Sequence, residues 1–297
     1  MKLGIIGLDT SHVVAFTRLL NNPNERYHVP GGEVVIAFPG GSPHFELSIS
    51  RVEAFTQELR SQFEVEIVDT IEQVAHVSDA IFLESVDGAV HHEQLQKVVA
   101  FKKPIFIDKP FSISSKVAND MIQLAAKYET AIMSTSALRY AENLTKAIRN
   151  TNKGKIIGAD CFGPMEIQDS KQGFFWYGIH MVEMLFTVLG SGSKSIKTIT
   201  NPEHDVITGV WKDGRIGTIR GNRVGNNQFG VLIHFELGTE YIDISLNEKP
   251  YYASLLEQVL DFFQDGIPKV PLNETKEIIR FVEASNESSL SGKTVIL

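Results

Sequence analysis

The chain has 297 residues, 43% of them hydrophobic and 22% charged, with a formal net charge of -8. That length allows two domains, and the acidic balance argues against a nucleic-acid or anionic-membrane partner. The single cysteine, Cys161, excludes an internal disulfide, fits a reducing compartment and reads as a small buried apolar residue.

In chain order, Lys2–Gly7 reads as a short apolar strand and Ser11–Asn21 as the helix after it. Glu33–Phe38 is a second strand and Arg51–Phe63 a second helix. Val65–Val68, Ala80–Glu84, Pro104–Asp108 and Thr130–Ser134 are further apolar strands, separated by helical stretches at Ile71–His76, Ala89–Phe101 and Ser114–Tyr128. Short, continuously apolar strands alternating with amphipathic helices predict a parallel sheet covered on both faces. Right-handed crossovers make it doubly wound, with ligands expected beyond the carboxyl ends of its strands.

The pattern changes after about Leu138. Longer alternating runs follow at Lys155–Phe162, Ser195–Thr200, Val206–Trp211, Arg215–Arg220, Gly230–Glu236 and Glu240–Ser245, with Asp213-Gly214 and Gly238-Thr239 as hairpin turns. Helices are expected at Gly178–Leu189, Ala253–Asp265 and Asn273–Ser288, and a final strand at Thr294–Leu297. The expectation is an α/β chain of two domains: residues 1–137, doubly wound, and residues 138–297, an α+β domain. The sheet of the second is mostly antiparallel, one face under helices and the other open to solvent or to another subunit. No apolar run approaches the ~20 residues of a membrane span, and the stretch Leu3–Leu8 is broken by Asp9 without a cleavage-type site. A cytoplasmic protein with no membrane partner is expected.

The turn after the first strand reads Gly7-Leu8-Asp9-Thr10-Ser11-His12. A dinucleotide-binding turn uses glycines to bring backbone amides and a helix N-terminus to pyrophosphate. Gly7 suits the first glycine position, whereas Asp9 and His12 stand at the second and third. A carboxylate ~4 Å from a phosphate would be opposed by ~4 kcal/mol at an effective dielectric of 20. Either Asp9 turns inward and caps the helix with Thr10 and Ser11, or Thr10, Ser11 and His12 donate to phosphate in place of amides. His12 by itself reads equally as an ordinary helix residue. The second strand runs into Phe38-Pro39-Gly40-Gly41-Ser42, without the usual ribose carboxylate, so NAD and NADP are not distinguished. Ser42 or Arg51 would suit a 2′-phosphate, although both read more simply as loop residues.

Glu84-Ser85-Val86-Asp87-Gly88 ends the fourth strand, and His91-His92-Glu93 opens the next helix. Adjacent helical histidines face different directions and make poor co-ligands, so no metal is assigned. Asp108, Lys109 and Pro110 end the fifth strand; a lysine there is costly to bury unless paired, and it is suited to donate to a substrate oxygen or relay a proton. Trp176-Tyr177-Gly178-Ile179-His180 opens a helix with a histidine in its first turn, and Glu183 lies on the same face. His180 reads either as a general base for an alcohol or as a core histidine bonded to a carbonyl. Trp176 and Tyr177 are expected to wall a pocket and stack on a sugar face.

These segments together resemble the glucose–fructose oxidoreductase/inositol dehydrogenase (Gfo/Idh/MocA) family over nearly the whole chain. Asp108-Lys109-Pro110 resembles its Glu-Lys-Pro motif and Gly178-Ile179-His180 its Asp-x-Gly-x-His segment. Glu84–His91 is similar to the stretch lining its nicotinamide pocket, and Ser136-Ala137-Leu138-Arg139-Tyr140 to its crossing into the second domain. The resemblance implies a Rossmann-type first domain, NAD or NADP as cofactor, a carbohydrate-like substrate and homo-oligomers through the second domain's sheet. It implies that Lys109 and His180 are catalytic. Gly7, Asp9, Thr10, Ser11, His12, Glu84, Ser85, Val86, Asp108, Lys109 and Pro110 are expected to border the cofactor, and Trp176, Tyr177, Glu183 and Arg139 the substrate. Trp176 stands where the motif has its aspartate, so another acid, Glu183 or Glu84, is expected to serve, or the standard reaction is not catalysed. A sugar-binding protein without redox chemistry and a lyase or epimerase working by transient oxidation are the alternatives.

Overall fold

A computed structural model describes residues 1–167 and 172–297. The chain forms two compact units, one of residues 1–112, 116–135 and 252–272, the other of residues 113–115, 136–251 and 273–297.

The first unit contains β1 (Lys2–Ile6), α1 (His12–Asn21), β2 (Glu33–Phe38), α2 (Glu46–Phe63), β3 (Glu66–Ile67), α3 (Ile71–Val77), β4 (Ala80–Leu83), α4 (His91–Val98), β5 (Ile105–Ile107), most of α5 (Ser115–Tyr128) and β6 (Ile132–Met133). The strands pair in parallel in the order β3-β2-β1-β4-β5-β6. This is the doubly wound order, with its topological switch between β1 and β4. Every residue of β4 and β5 is buried, as helices on both faces require. α3 begins with a reciprocal capping box: Thr70 accepts from the Gln73 amide and Gln73 reaches back to the Thr70 amide.

α2 starts five residues before the expected Arg51. Ser48 and Ser50 make that stretch look like a loop, yet Ser48 is fully buried and its hydroxyl finds a partner elsewhere in the fold. The single cut at 137/138 also needs correcting, because most of α8 (Tyr251–Asp265) belongs to the first unit. Its Phe263 meets Phe82 of β4 with ring centroids 5.1 Å apart, and Tyr252 meets Phe16 of α1 at 5.6 Å. The periodicity of α8 shows an apolar face without showing which sheet it covers.

The second unit contains α6 (Glu142–Ile148), β7 (Ile156–Pro164), α7 (Gly178–Leu189), β8 (Ser193–Thr200), β9 (His204–Trp211), β10 (Ile216–Asn222), β11 (Gly230–Phe235), β12 (Gly238–Asp243), nearly all of α9 (Leu272–Ser291) and β13 (Val295–Ile296). The short helix α6 was not anticipated. The strand order is β12-β11-β7-β10-β9-β8-β13, antiparallel throughout except for β7 beside β10. The second hairpin turns at Glu236-Leu237, between the paired Phe235 and Gly238, two residues before the expected position. Burial alternates along β9, as one covered face demands. α7 and α9 supply the cover: Phe186 and Phe281 pack on Trp211 with ring centroids 5.6 and 6.1 Å away. The carboxylate of Asp160, on the intermediate-burial register of β7, accepts from Thr218 and pairs with His234 at 2.7 Å. Cys161 points inward, and burial pushes its thiol pKa up.

Candidate active site

The first unit's candidate residues gather at the carboxyl edge of β1, β4 and β5. Gly7 leaves β1 with φ +92°, and its amide donates to the Phe38 carbonyl at 2.9 Å. A Cβ at Gly7 would lie 2.4 Å from Ser85 Oγ and 2.5 Å from Ser85 N, so only glycine fits where the turn after β1 meets the loop after β4.

Asp9 is turned inward. Its Oδ2 accepts from the Ser48 hydroxyl at 2.6 Å and its Oδ1 from the Val86 amide at 3.0 Å. Burial raises its pKa, while those hydrogen bonds pull the other way. The expectation that Asp9 caps α1 is corrected: the Thr10 hydroxyl accepts from the His12 amide at 3.4 Å, and Asp9 instead ties the turn after β1 to the first turn of α2 and to the loop after β4. Ser42 is likewise engaged in the fold, its hydroxyl donating to Asp87 at 2.8 Å and its amide to Ser48 Oγ at 2.7 Å, which removes it as a 2′-phosphate donor. His91 is fully buried, with ring nitrogens 2.6 Å from the Ser85 carbonyl and 3.3 Å from that of Phe111. It anchors the loop after β4.

The turn has the properties that a pyrophosphate needs. Gly7 carries no Cβ, Ser11 is exposed at the N-cap of α1 and its side chain does not cap the helix, and the Asp9 carboxylate is consumed internally. The conflict between a carboxylate and a phosphate therefore disappears, and a dinucleotide fits the residues present.

Next to this turn stands a buried cluster of charges. His12 Nδ1 lies 3.1 Å from Asp108 Oδ2 and 3.7 Å from Glu84 Oε2. Glu84 N donates to Ile6 O and Asp108 N to Leu83 O, each at 2.8 Å, so the strand ladder itself holds the two acids at the sheet's edge. Burial alone would lower the His12 pKa, but Asp108 and then Glu84 outweigh it and raise it to about 9. Burial and the charge of Asp108 raise Glu84 to about 7 against the pull of His12. Asp108 is lowered to about 2, because His12 and Lys109 overcome its burial. Lys109 follows Asp108 and is itself buried. Two acids thus stand against an imidazolium and an ammonium. His12 is more than an ordinary helix residue; its partner Asp108 was visible only as a neighbour of Lys109.

In the second unit, His180 lies in the first turn of α7, and its Nδ1 is 2.7 Å from the Ser136 hydroxyl. That bond differs from the carbonyl bond expected of a core histidine. Tyr177 and Phe229 pack edge-on against the imidazole, with centroids 6.0 and 5.8 Å away. Trp176 is buried and Tyr177 half-buried, their rings 6.0 Å apart. Arg139 and Glu183, expected at the substrate, bind each other instead. Arg139 Nε and Nη2 reach Glu183 Oε2 at 2.9 and 2.8 Å, and Nη1 reaches Glu274 at 2.8 Å. Both are buried, and the fork geometry of arginine suits a structural clamp between two acids. Sequence reading missed Ser48, Ser136 and Glu274; each acts across a long separation, and no local pattern marks it.

Residues 3–136 match the family model described as "Oxidoreductase family, NAD-binding Rossmann fold" (GFO_IDH_MocA). No curated protein sequence matches the chain. Among solved structures, the chain is similar to myo-inositol 2-dehydrogenase from Lactobacillus plantarum, at 18% identity and a TM-score of 0.81, over 100% of this chain and 99% of that one. Myo-inositol dehydrogenase from Lactobacillus casei, solved with NAD(H) and myo-inositol, gives 15% identity and 0.77 over 100% and 96%. GenD2 from gentamicin A biosynthesis, solved with NAD, gives 14% and 0.81 over 100% and 96%. At these identities the likeness concerns the fold. The match over residues 3–136, with the doubly wound strand order, identifies the nucleotide unit as an NAD-binding Rossmann fold of the kind described by the Gfo/Idh/MocA oxidoreductase family model.

Proposed function

We propose that the protein is an NAD(P)-dependent dehydrogenase acting on a secondary alcohol or ketone of a sugar, polyol or derivative. The observation that carries this reading is the buried cluster of His12, Glu84, Asp108 and Lys109 at the carboxyl edge of β1, β4 and β5, in the unit that matches the NAD-binding family. The substrate class rests on the inositol dehydrogenases among the similar structures.

Gly7, Thr10 and Ser11 would hold the pyrophosphate, and Glu84, Ser85 and Val86 would border the nicotinamide. When bound, the nicotinamide supplies the hydride acceptor. Lys109 polarises the substrate oxygen, its charge also acting on the neighbouring Asp108 carboxylate. His180 moves the hydroxyl proton at Nε2, because Ser136 engages Nδ1 and orients the ring. Trp176 and Tyr177 give the apolar wall on which a sugar face stacks. Asp9 serves as a tie between segments, and Arg139 with Glu183 and Glu274 forms a clamp between α7 and α9. A cytoplasmic homo-oligomer through the outer face of the seven-stranded sheet completes the reading; the exposed Ile216 and Tyr241 support an interface there, and light scattering tests it.

Titration with NADH and with NADPH, following nicotinamide fluorescence, tests the cofactor and selects between the two. Lys109→Ala and His180→Ala are each expected to lower turnover at least ~100-fold. Silence of the folded protein with both cofactors would instead favour a sugar-binding protein without redox chemistry.

A further inference from the structure

The nucleotide unit holds one buried acid that its surroundings leave poorly compensated. Glu84 is fully buried, and His12, the one side chain that acts on it as a hydrogen-bond donor, stands at the long distance of 3.7 Å from Oε2. His12 sits nearer to Asp108, at 3.1 Å, than to Glu84, at 3.7 Å. The charged groups acting on Glu84 are His12, Asp108 and Lys109, and the repulsion from Asp108 is the strongest of the three. A buried carboxylate with so distant a donor is unstable as an anion and responds to any cation brought next to it.

The topology says which part of a dinucleotide would approach. In a sheet of this order the pyrophosphate crosses the switch between β1 and β4, and the adenosine ribose lies at the end of β2. The nicotinamide half therefore falls on the β4 and β5 side. Glu84 and Asp108 directly follow those two strands. An oxidised nicotinamide ring carries a positive charge and a reduced one is neutral.

We propose that Glu84 senses the charge of the nicotinamide: it is ionised beside the oxidised ring, holds a proton beside the reduced ring, and so biases the protein toward the oxidised cofactor. This rests on the proposed dehydrogenase reading and adds to it a residue that sets cofactor preference. In the direction of alcohol oxidation, the hydride goes to the ring and one proton is produced. The hydroxyl proton passes first to His180, and Glu84 separately takes up one proton as the ring's charge is lost, so the one proton that the reaction produces is accounted for. With an acid of pKa about 7 in the free protein, roughly half a proton per chain is available for release at pH 7.

Isothermal titration calorimetry of the full chain with NAD+ and with NADH, at pH 7 in two buffers of different ionisation enthalpy, measures that proton. Release of up to about half a proton is expected with NAD+, and none with NADH. In Glu84→Gln, the release should vanish and the preference for NAD+ over NADH should fall on the order of tenfold. An unchanged far-UV spectrum and a cooperative urea transition would show that this variant is folded. Equal proton release for both cofactors, or undiminished release in Glu84→Gln, overturns the assignment. Failure of the wild-type chain to bind NAD+, NADH, NADP+ and NADPH alike overturns the dehydrogenase reading, whereas binding of a nicotinamide cofactor without any Glu84-dependent proton release overturns this inference alone.

Discussion

Replacing Gly7 by alanine tests whether the crest of the nucleotide unit is built as described. Two costs combine. An L-residue at φ +92° is strained by roughly 1–2 kcal/mol. The new Cβ would also stand 2.4 Å from Ser85 Oγ and 2.5 Å from Ser85 N, and relieving such an overlap costs roughly 1–3 kcal/mol. Destabilisation of about 2–5 kcal/mol is expected in urea unfolding. The displacement would push Ser85 and Val86 outward, weakening the 3.0 Å bond from Val86 N to Asp9, and NADH binding should weaken with it. Adding Ser85→Ala removes the hydroxyl but leaves the backbone nitrogen, so the double variant should recover only part of the loss. A single variant less than about 1 kcal/mol below wild type, with normal NADH affinity, would refute the close approach of the two loops and the role given to Gly7.

The charge cluster makes stability depend on pH. His12 has a folded pKa of about 9 against an ordinary 6.5, so its contribution, on the order of 3 kcal/mol, is complete below pH 6.5 and lost as pH rises through 9. Urea midpoints across pH 6–10 should fall in wild type and stay flatter in His12→Gln; parallel curves would remove His12 from the network. Ser136→Ala should lower kcat about tenfold and shift the kcat–pH profile while leaving the fold intact, since it unfastens the His180 ring; an unchanged profile would assign that bond to packing alone. Arg139→Met should cost about 3–5 kcal/mol by removing the cation that neutralises the buried Glu183 and the half-buried Glu274, with Glu183→Leu in addition restoring much of it. Unaltered stability with a raised KM would return Arg139 to the substrate.

Much of the first unit was legible residue by residue. Its strands are short apolar runs because both faces are covered, and Asp108-Lys109-Pro110 and His180 stand out because charged groups follow apolar runs or open a helix. The less legible parts depend on partners far away in the chain. Ser48 and Ser50 disguised the start of α2, because the hydroxyl of Ser48 is satisfied by Asp9 and not by a local turn. Arg139 and Glu183 read as substrate residues because polar side chains near a predicted pocket invite that reading; their third partner, Glu274, comes from α9 and could not be seen locally.

The amino-acid sequence by itself determined the doubly wound sheet, the mixed sheet after it, and the lysine and histidine around which the proposed chemistry is organised. Period, run length and helix position are local properties and survive without a structure. Only the tertiary structure decided which way Asp9 turns, that α8 returns to the first unit, and that His12, Glu84 and Asp108 share one buried site. The reason is physical: a side chain's charge state and direction are set by whatever the fold brings within a few ångströms, and three strands that are distant in sequence end side by side at the same edge.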